Sequence, residues 1–296
     1  MSMMNIGVSG MMSQAKKLNV ISNNIANSDT LAYKSQWVQL MEEYVTQGRQ
    51  TNNGNIIQGG EGVKVASVNA DWSAGSVQVT NEPSNLMIAG DGFLPVAFNN
   101  EVYYTRAGDF SLVENPDTAT GGFVLMRPNG ATLVGYSALP IASSPSVANV
   151  VVFRSVSTAV PPADPIAPTS YEISADGAVT AKPEAPADPY IEILINGVSS
   201  STAQLGVQRF NNQDSLLKSE GGLYKPTQST SFASSYPVEP GTSGSGTITQ
   251  GALEQSNTDL ISEFTNMITS QRSFQANSKV ITTADELLQT VMGLKR

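Results

Sequence analysis

Carboxylates are the side chains that chemistry would most readily use in this sequence. Glu42 and Glu43 are adjacent, Asp91 lies in AGDG, Asp109 in AGDF, and Glu82, Glu114 and Asp117 share the same stretch. Two carboxylates facing across a cleft support general acid–base work, one protonated and one ionised. The spacing argues against it. Glu42 and Glu43 fall on an expected helix, where neighbours in sequence point apart. Asp91 and Asp109 stand in turn contexts, where Asp bonds its own backbone. Histidine and cysteine are absent, which removes the commonest general base, the commonest metal ligand and the soft nucleophile. No GxGxxG or GKS/T loop leads from a strand into a helix, and no Ser occupies a GxSxG elbow. GVSG at 7–10 reads as close helix packing. Trp37 and Trp72 read as core or interface anchors at helix–sheet junctions. The residues therefore predict no enzyme, no cofactor and no metal site.

A second polar concentration has another chemistry. NNIANSDTLAYKS at 23–35 crowds Asn23, Asn24, Asn27 and Asp29 into seven positions. Short amides and carboxylates bond local backbone and tolerate left-handed conformations, so they stop helices. The run reads as a joint that ends a helix at a set place, with Tyr33 and Lys34 opening the connector beyond it.

The helix that would position this joint is legible upstream. Met4, Val8, Met11, Ala15, Leu18, Ser22 and Ile25 keep a 4-3-4-3-4-3 spacing that lines one narrow stripe. Gly7 and Gly10 weaken its first turns, each by about 1 kcal/mol against Ala. A longer helix is predicted from Asn257 to Arg296, a stretch without Pro and with Gly293 as its one glycine. There Leu260, Phe264, Met267, Gln271 and Phe274 form one stripe, and Val280, Ala284, Leu287, Val291 and Leu294 another. Ser256 or Asn257 is expected as its cap, with Asp259 and Glu263 near the positive end. At ~1.5 Å per residue such a helix is a rod roughly 60 Å long. The two terminal helices are natural partners, and narrow apolar stripes need partners to be stable. The residues alone support either self-assembly or an intramolecular helical hairpin.

Between the helices the pattern changes. GVKVASVNADWS, GSVQVT, NLMIAGDGFLPVAF, EVYYTRAGDFSLV and GFVLMRPNGATLVGYSA read as short strands separated by Gly, Asn, Asp and Pro. PNGA at 128–131 is the strongest short hairpin signal, and YEISADGAVTA predicts another with its turn at Asp176-Gly177. No helix of useful length fits 62–250. Residues 139–190 hold most of the prolines, with a short strand at Val150–Phe153. The Gly/Ser-rich run before the last helix reads as a hinge.

Net charge is −9 over 296 residues with Lys+Arg 16, and charged residues are only 14%. No basic cluster exceeds a pair, so a row of phosphates has nothing to meet and nucleic acid is not an expected partner. No run of about eighteen apolar residues exists, so membrane insertion by a helix is not expected. The N-terminal stretch lacks the basic start and unbroken apolar run of a signal peptide.

VISNNIANSDTLAYKS at 20–35 resembles the signature of bacterial flagellar rod and hook proteins, a run of the form N-N-hydrophobic-A-N-x-x-T-x-G/A-F/Y-K. Asn23, Asn24, Ala26, Asn27, Thr30, Ala32, Tyr33 and Lys34 match it position by position, Ala32 standing where the family usually has Gly. Residues 251–296 are similar to the family's C-terminal segment, and GVKV, NLMIAGDGFLPV, YYTRAGDFSL and VGY are similar to parts of its middle. The resemblance implies an α+β fold in which N- and C-terminal helices pair as a coiled coil lining an axial tube, with a mainly antiparallel β-rich domain inserted between them. It places 1–34 plus 255–296 in the inner helical domain and 35–61 and 229–254 in connectors. Residues 62–140 plus 171–228 form the β-rich domain, and 141–170 a Pro-rich excursion.

The implied function is a non-catalytic subunit that polymerises into the axial tube of the flagellum. Its partners would be copies of itself, other axial proteins such as rod and hook–filament junction proteins, and the flagellar export apparatus. It would be exported without a cleaved signal to the basal body or hook. The C-terminal SQRSFQANSKVITTADELLQTVMGLKR looks more like hook proteins, whereas chain length and the extended stretch 45–62 look more like distal rod proteins. The expectation is a hook subunit, with a distal rod subunit as the alternative. A reading from another class is a β-rich surface-binding module whose terminal helices only dimerise. The residues expected to carry assembly are Met4, Val8, Met11, Leu18, Ile25, Leu260, Phe264, Met267, Phe274, Val280, Leu287, Val291 and Leu294.

Overall fold

Two long helices and a set of antiparallel strands follow from these patterns. The computed structural model describes residues 2–43, 45–50, 56–60, 62–115, 122–136, 150–156, 170–182, 190–195, 198–200, 203–227, 229–233 and 236–294. The chain divides into two compact units.

The first unit comprises Met1–Asp29, Lys34–Ser73 and Ser256–Arg296. It contains helix α1 (Ser2–Ala26) and helix α2 (Leu260–Gly293). Between them in sequence come strands β1 (Gln36–Glu42), β2 (Val45–Gln50), β3 (Ile56–Gly60) and β4 (Val63–Ala70). β1 pairs antiparallel with β4 from Gln36↔Ala70 to Glu42↔Val63, with an irregularity at Gln39/Leu40. β2 pairs with β3 inside that ladder. The described residues of 35–61 thus belong to a nested hairpin, with β1 and β2 on its outgoing side and β3 on its return, and Glu42 ends a strand rather than lying on the expected helix. The alternation of Trp37, Gln39 and Met41 against Val38 and Leu40 is a period of two, which wins over helix propensity here.

α1 and α2 run antiparallel. Gly7 lies against Ile281, where an added Cβ would meet Cγ1 at 2.7 Å, and Gly10 lies against Asn277, where it would meet Nδ2 at 2.8 Å. Further along, Asn24 Nδ2 donates to Glu263 Oε1 at 2.7 Å. Numbers rise along α1 as they fall along α2, which fixes the direction. β4 also packs on α1: Ser13 Oγ donates to the Val63 carbonyl and Val63 N donates to Ser9 Oγ.

The second unit comprises Thr30–Tyr33 and Ala74–Gln255. Its main sheet runs, in spatial order, 198–200, 190–195, 151–156, 123–126, 132–133, 94–98, 101–105, 223–225 and 217–218, with 111–114 beside 123–126. A three-stranded sheet joins 170–173, 178–182 and 203–204, and two pairs join 247–250 to 86–89 and 252–254 to 77–79. Each of these strand pairings is antiparallel. Asn99 and Asn100 both have positive φ, 48° and 61°, the backbone of a tight hairpin turn that short amides tolerate. Turns also fall at PNGA and Asp176-Gly177, where Gly130 and Gly177 take φ of 87° and 81°. Leu86, Phe93, Leu94, Val96, Leu125, Leu133, Phe153 and Leu223 are fully buried. Phe93 makes edge contacts with Phe210 at 5.5 Å and Tyr224 at 5.6 Å. Of the Pro-rich excursion, 141–149 and 157–169 lie outside the described residues, as does Asp117. The described residues of the middle are β-rich between two helices, an α+β fold.

Candidate functional site

The asparagine run is a joint built from side-chain amides. α1 closes at Ala26, and Asn27 N donates back to the Asn23 and Asn24 carbonyls at 3.1 and 3.2 Å. Asn27 Nδ2 donates to the Asn23 carbonyl and to Asn23 Oδ1 at 2.9 and 3.0 Å. Asn23 and Asn27 therefore stop the helix locally, as short amides do. Asn24 does something else. Only 1% exposed, it accepts from Gln36 N through Oδ1 at 2.9 Å and donates from Nδ2 to the Gln36 carbonyl at 2.7 Å. Its amide pairs with a strand residue as another peptide group would, and the same Nδ2 reaches Glu263. One side chain thus joins α1, β1 and α2.

Beyond Asp29 the chain turns sharply. The Thr30 carbonyl accepts from Tyr33 N at 3.3 Å, and Ala32 takes φ of 52°. That left-handed conformation costs an L-residue roughly 1–2 kcal/mol and glycine little. It gives a physical reason for the family's glycine here; in this chain Ala32 is held by its N–H donating to the Glu254 carbonyl at 2.8 Å. Tyr33 is buried with Lys218 Nζ over its ring at 4.3 Å, and burial pushes the Lys218 pKa down. Lys34, 2% exposed, donates from Nζ to the Ser73 carbonyl at 2.6 Å.

Two residues gather the chain around this joint, Asn257, expected only as a helix cap, and Glu254, which sequence reasoning did not single out. In the first unit, Asn257 Oδ1 accepts from Ser35 N at 2.7 Å. Its Nδ2 donates to the Asp71 carbonyl at 2.8 Å and to the Ser73 carbonyl at 3.2 Å. The expected cap role passes to Asp259, which accepts from Ile261 N at 3.0 Å. In the second unit, Glu254 accepts from Gly75 N at 3.0 Å through Oε1, while Oε2 lies 3.6 Å from Arg106 Nε. Arg106 also donates to the Gly90 carbonyl and lies over the Phe93 ring. An Arg within an otherwise apolar strand-like run was the available signal, since Arg is rarely buried without a partner.

The helices place large and small side chains on different faces. α1 buries Gly7, Gly10, Ser13, Val20, Ile21 and Asn24, and α2 buries Ser270 and Ala284. Small side chains let two backbones approach closely, which large ones would prevent. Met4, Met11, Leu18, Ile25 and Met267 are half-buried, and Val8, Leu260, Phe274, Val280 and Val291 are exposed. Phe264 is 50%, Leu287 60% and Leu294 82% exposed. The side chains best able to drive association thus lie largely outside the helix–helix seam.

The carboxylates are dispersed. Asp109 Oδ1 accepts from Arg127 Nε at 2.7 Å, and Arg127 also donates to the Gly221 carbonyl. The Asp91 carbonyl accepts from Gly246 N in a turn. Among the described residues, no group of three His, Cys, Asp or Glu has metal-binding geometry, and no helix is long and apolar enough to cross a membrane. Trp37 is 51% exposed on β1.

This architecture has relatives. The family described as flagellar basal body rod FlgEFG protein C-terminal matches residues 249–294, and that described as flagella basal body rod protein matches 4–34. The chain is 32% identical to the flagellar basal-body rod protein FlgG of Bacillus subtilis over 98% of this chain and 97% of that protein. It is 30% identical to FlgG of Caulobacter vibrioides over 100% of both. The flagellar hook protein FlgE of Caulobacter vibrioides is 35% identical over 43% of this chain but 20% of its own length. End-to-end similarity therefore favours the rod over the expected hook, and the hook-like C-terminus reflects a segment that rod and hook proteins share. The chain belongs to the flagellar basal-body rod and hook protein family, whose members are structural components of the flagellum and not enzymes.

Proposed function

We propose that this chain is a subunit of the distal rod of the flagellar basal body, polymerising with copies of itself into a section of the axial tube. End-to-end similarity to basal-body rod proteins carries the rod assignment. The helix surfaces support the mechanism. α1 and α2 meet through small residues, leaving ten large apolar side chains of α2 exposed, from Leu260 to Met292, with Leu294 just beyond its end. Recovering about 1 kcal/mol from each of these partly exposed side chains gives on the order of 10 kcal/mol. That is comparable with the cost of association, about 4–15 kcal/mol. Helix pairs from neighbouring copies would pack as an inner coiled-coil layer, and the β-rich unit would make outer contacts. Its neighbours would be other rod subunits and the hook, and delivery would use the flagellar export apparatus.

The test is a double substitution on the exposed face, F264D/L287D. The monomer should keep its helical circular dichroism and its melting temperature, because exposed substitutions change stability by within about 0.5 kcal/mol. Tube formation should be lost, and with it motility in cells carrying only this variant. Tubes formed as readily as by the unaltered chain would refute assembly through these faces.

A further inference from the structure

The PNGA turn at 128–131 sets an asparagine before a glycine, the order in which a side-chain amide is most open to attack by the backbone. Glycine has no Cβ, so its nitrogen approaches the amide carbon without hindrance. In that reaction Gly130 N bonds to Asn129 Cγ, the Cγ–Nδ2 bond breaks, and ammonia leaves with the proton that Gly130 N gives up. Water then opens the five-membered imide. Opening at one carbonyl gives an aspartate, and at the other an isoaspartate, whose backbone runs through the side chain. The balance is amide plus water to acid plus ammonia, with no change in oxidation state.

The fold engages or encloses each group this reaction must use. Gly130 N donates to the Arg127 carbonyl at 2.9 Å, closing a turn with Pro128 and Asn129 at its centre. Asn129 Oδ1 accepts from Ala131 N at 3.1 Å, which aims the amide past Gly130 toward the next peptide. Asn129 Nδ2, the leaving group, is buried without a hydrogen-bond partner among the described residues. An added Cβ at Gly221 would meet it at 2.6 Å, so it meets no solvent to carry it off as ammonia. Arg127 anchors the turn in its place. Its N–H donates to the Ala131 carbonyl at 2.8 Å, its Nε to Asp109 Oδ1 at 2.7 Å and its Nη1 to the Gly221 carbonyl at 2.7 Å. All of these residues belong to the second unit.

We propose that Asn129–Gly130 is a latent deamidation site, closed to imide formation while its hairpin is shut and open to it whenever the hairpin unfolds. The modification runs one way. An isoaspartate lengthens the backbone inside the turn that brings Met126 opposite Thr132. An aspartate sets a carboxylate in the enclosed place of Nδ2, where burying a charge is costly. Either product hinders reclosure, so the reaction marks chains that have spent time open. This property does not depend on the rod reading.

The test is mass spectrometry of the proteolytic peptide containing Asn129, taken from the full-length chain during incubation at mildly alkaline pH. A synthetic peptide spanning 123–133 in the same buffer supplies the rate of the open form. The asparagines at 53 and 196 also precede glycine but lie outside the described residues, and their own proteolytic peptides keep them separate. Conversion of Asn129 in the folded chain should be at least about tenfold slower than in the synthetic peptide, because it proceeds only through local opening. R127Q removes the ties to Asp109 and to the Gly221 carbonyl. It should speed conversion in the folded chain at least about threefold, with unchanged far-ultraviolet circular dichroism. If R127Q does not fold, D109N weakens the same anchor and carries the same expectation. Equal rates in the folded chain and the synthetic peptide, or a folded variant no faster than the unaltered chain, overturn the proposal.

Discussion

Removing both members of the Arg106–Glu254 pair should cost the β-rich unit less than the sum of removing each alone. The two side chains are 3% and 2% exposed, and Arg106 Nε lies 3.6 Å from Glu254 Oε2. At an effective dielectric of about 20 this separation corresponds to roughly 5 kcal/mol of attraction. Desolvating two ions costs several kcal/mol each, so the intact pair contributes little net stability. Breaking it is different, because the remaining charge stays buried: R106M or E254Q alone should cost about 3–5 kcal/mol. A unit of this size loses about 2–4 °C per kcal/mol, so each single variant should melt roughly 6–20 °C lower. R106M/E254Q should be less destabilised than the sum of its parents, with a coupling of about 1–3 kcal/mol. Calorimetry on the four chains, with urea unfolding to check two-state behaviour, closes the cycle. Singles within about 1 kcal/mol of the unaltered chain, or strict additivity in the double variant, would refute the reasoning.

Other consequences are simpler to test. In G108A the new Cβ would sit 1.6 Å from the Leu86 carbonyl oxygen, and that backbone also bonds Leu86 N to the Gly108 carbonyl. The neighbouring atom cannot swing away, so denaturant unfolding should show a loss of roughly 3 kcal/mol or more. Burial pushes the hydroxyls of Tyr104, Tyr171 and Tyr224 up to about 12. A folded-state pKa raised above the unfolded value gives stability that is present below pH ~10 and lost as pH climbs toward 12. Spectrophotometric titration should therefore show exposed tyrosines ionising first and these three later, together with unfolding; a single transition near pH 10 with the fold intact would contradict their burial.

The two helices and the β-rich middle were legible because periodicity and turn residues are local signals. The seam between the helices was not. Spacing picks out the largest apolar residues, Phe264, Leu287 and Val291, as though they faced α1. A close antiparallel pair instead selects Gly7, Gly10, Ser270 and Ala284, whose merit is small volume, which hydrophobicity does not report. The joint divides in the same way. That Asn23 and Asn27 end a helix follows from their own chemistry, and local bonds realise it. That Asn24 pairs with Gln36, and that Asn257 ties Ser35 to Ser73 instead of capping α2, depends on segments brought together by folding. Glu42 shows a wrong period: its neighbours alternate as a strand, and a helix reading misses it. Arg106 and Glu254 lie in stretches similar to the family's, yet neither spacing nor composition pairs residues so far apart.

The most direct measurement is electron microscopy of basal bodies isolated from cells lacking this chain. A distal rod subunit predicts particles whose rod stops short and which carry no hook, with full-length rods restored by the unaltered chain but not by F264D/L287D. Particles with complete rods lacking only the hook would return the chain to the hook reading, and complete flagella would contradict its place in the axis altogether.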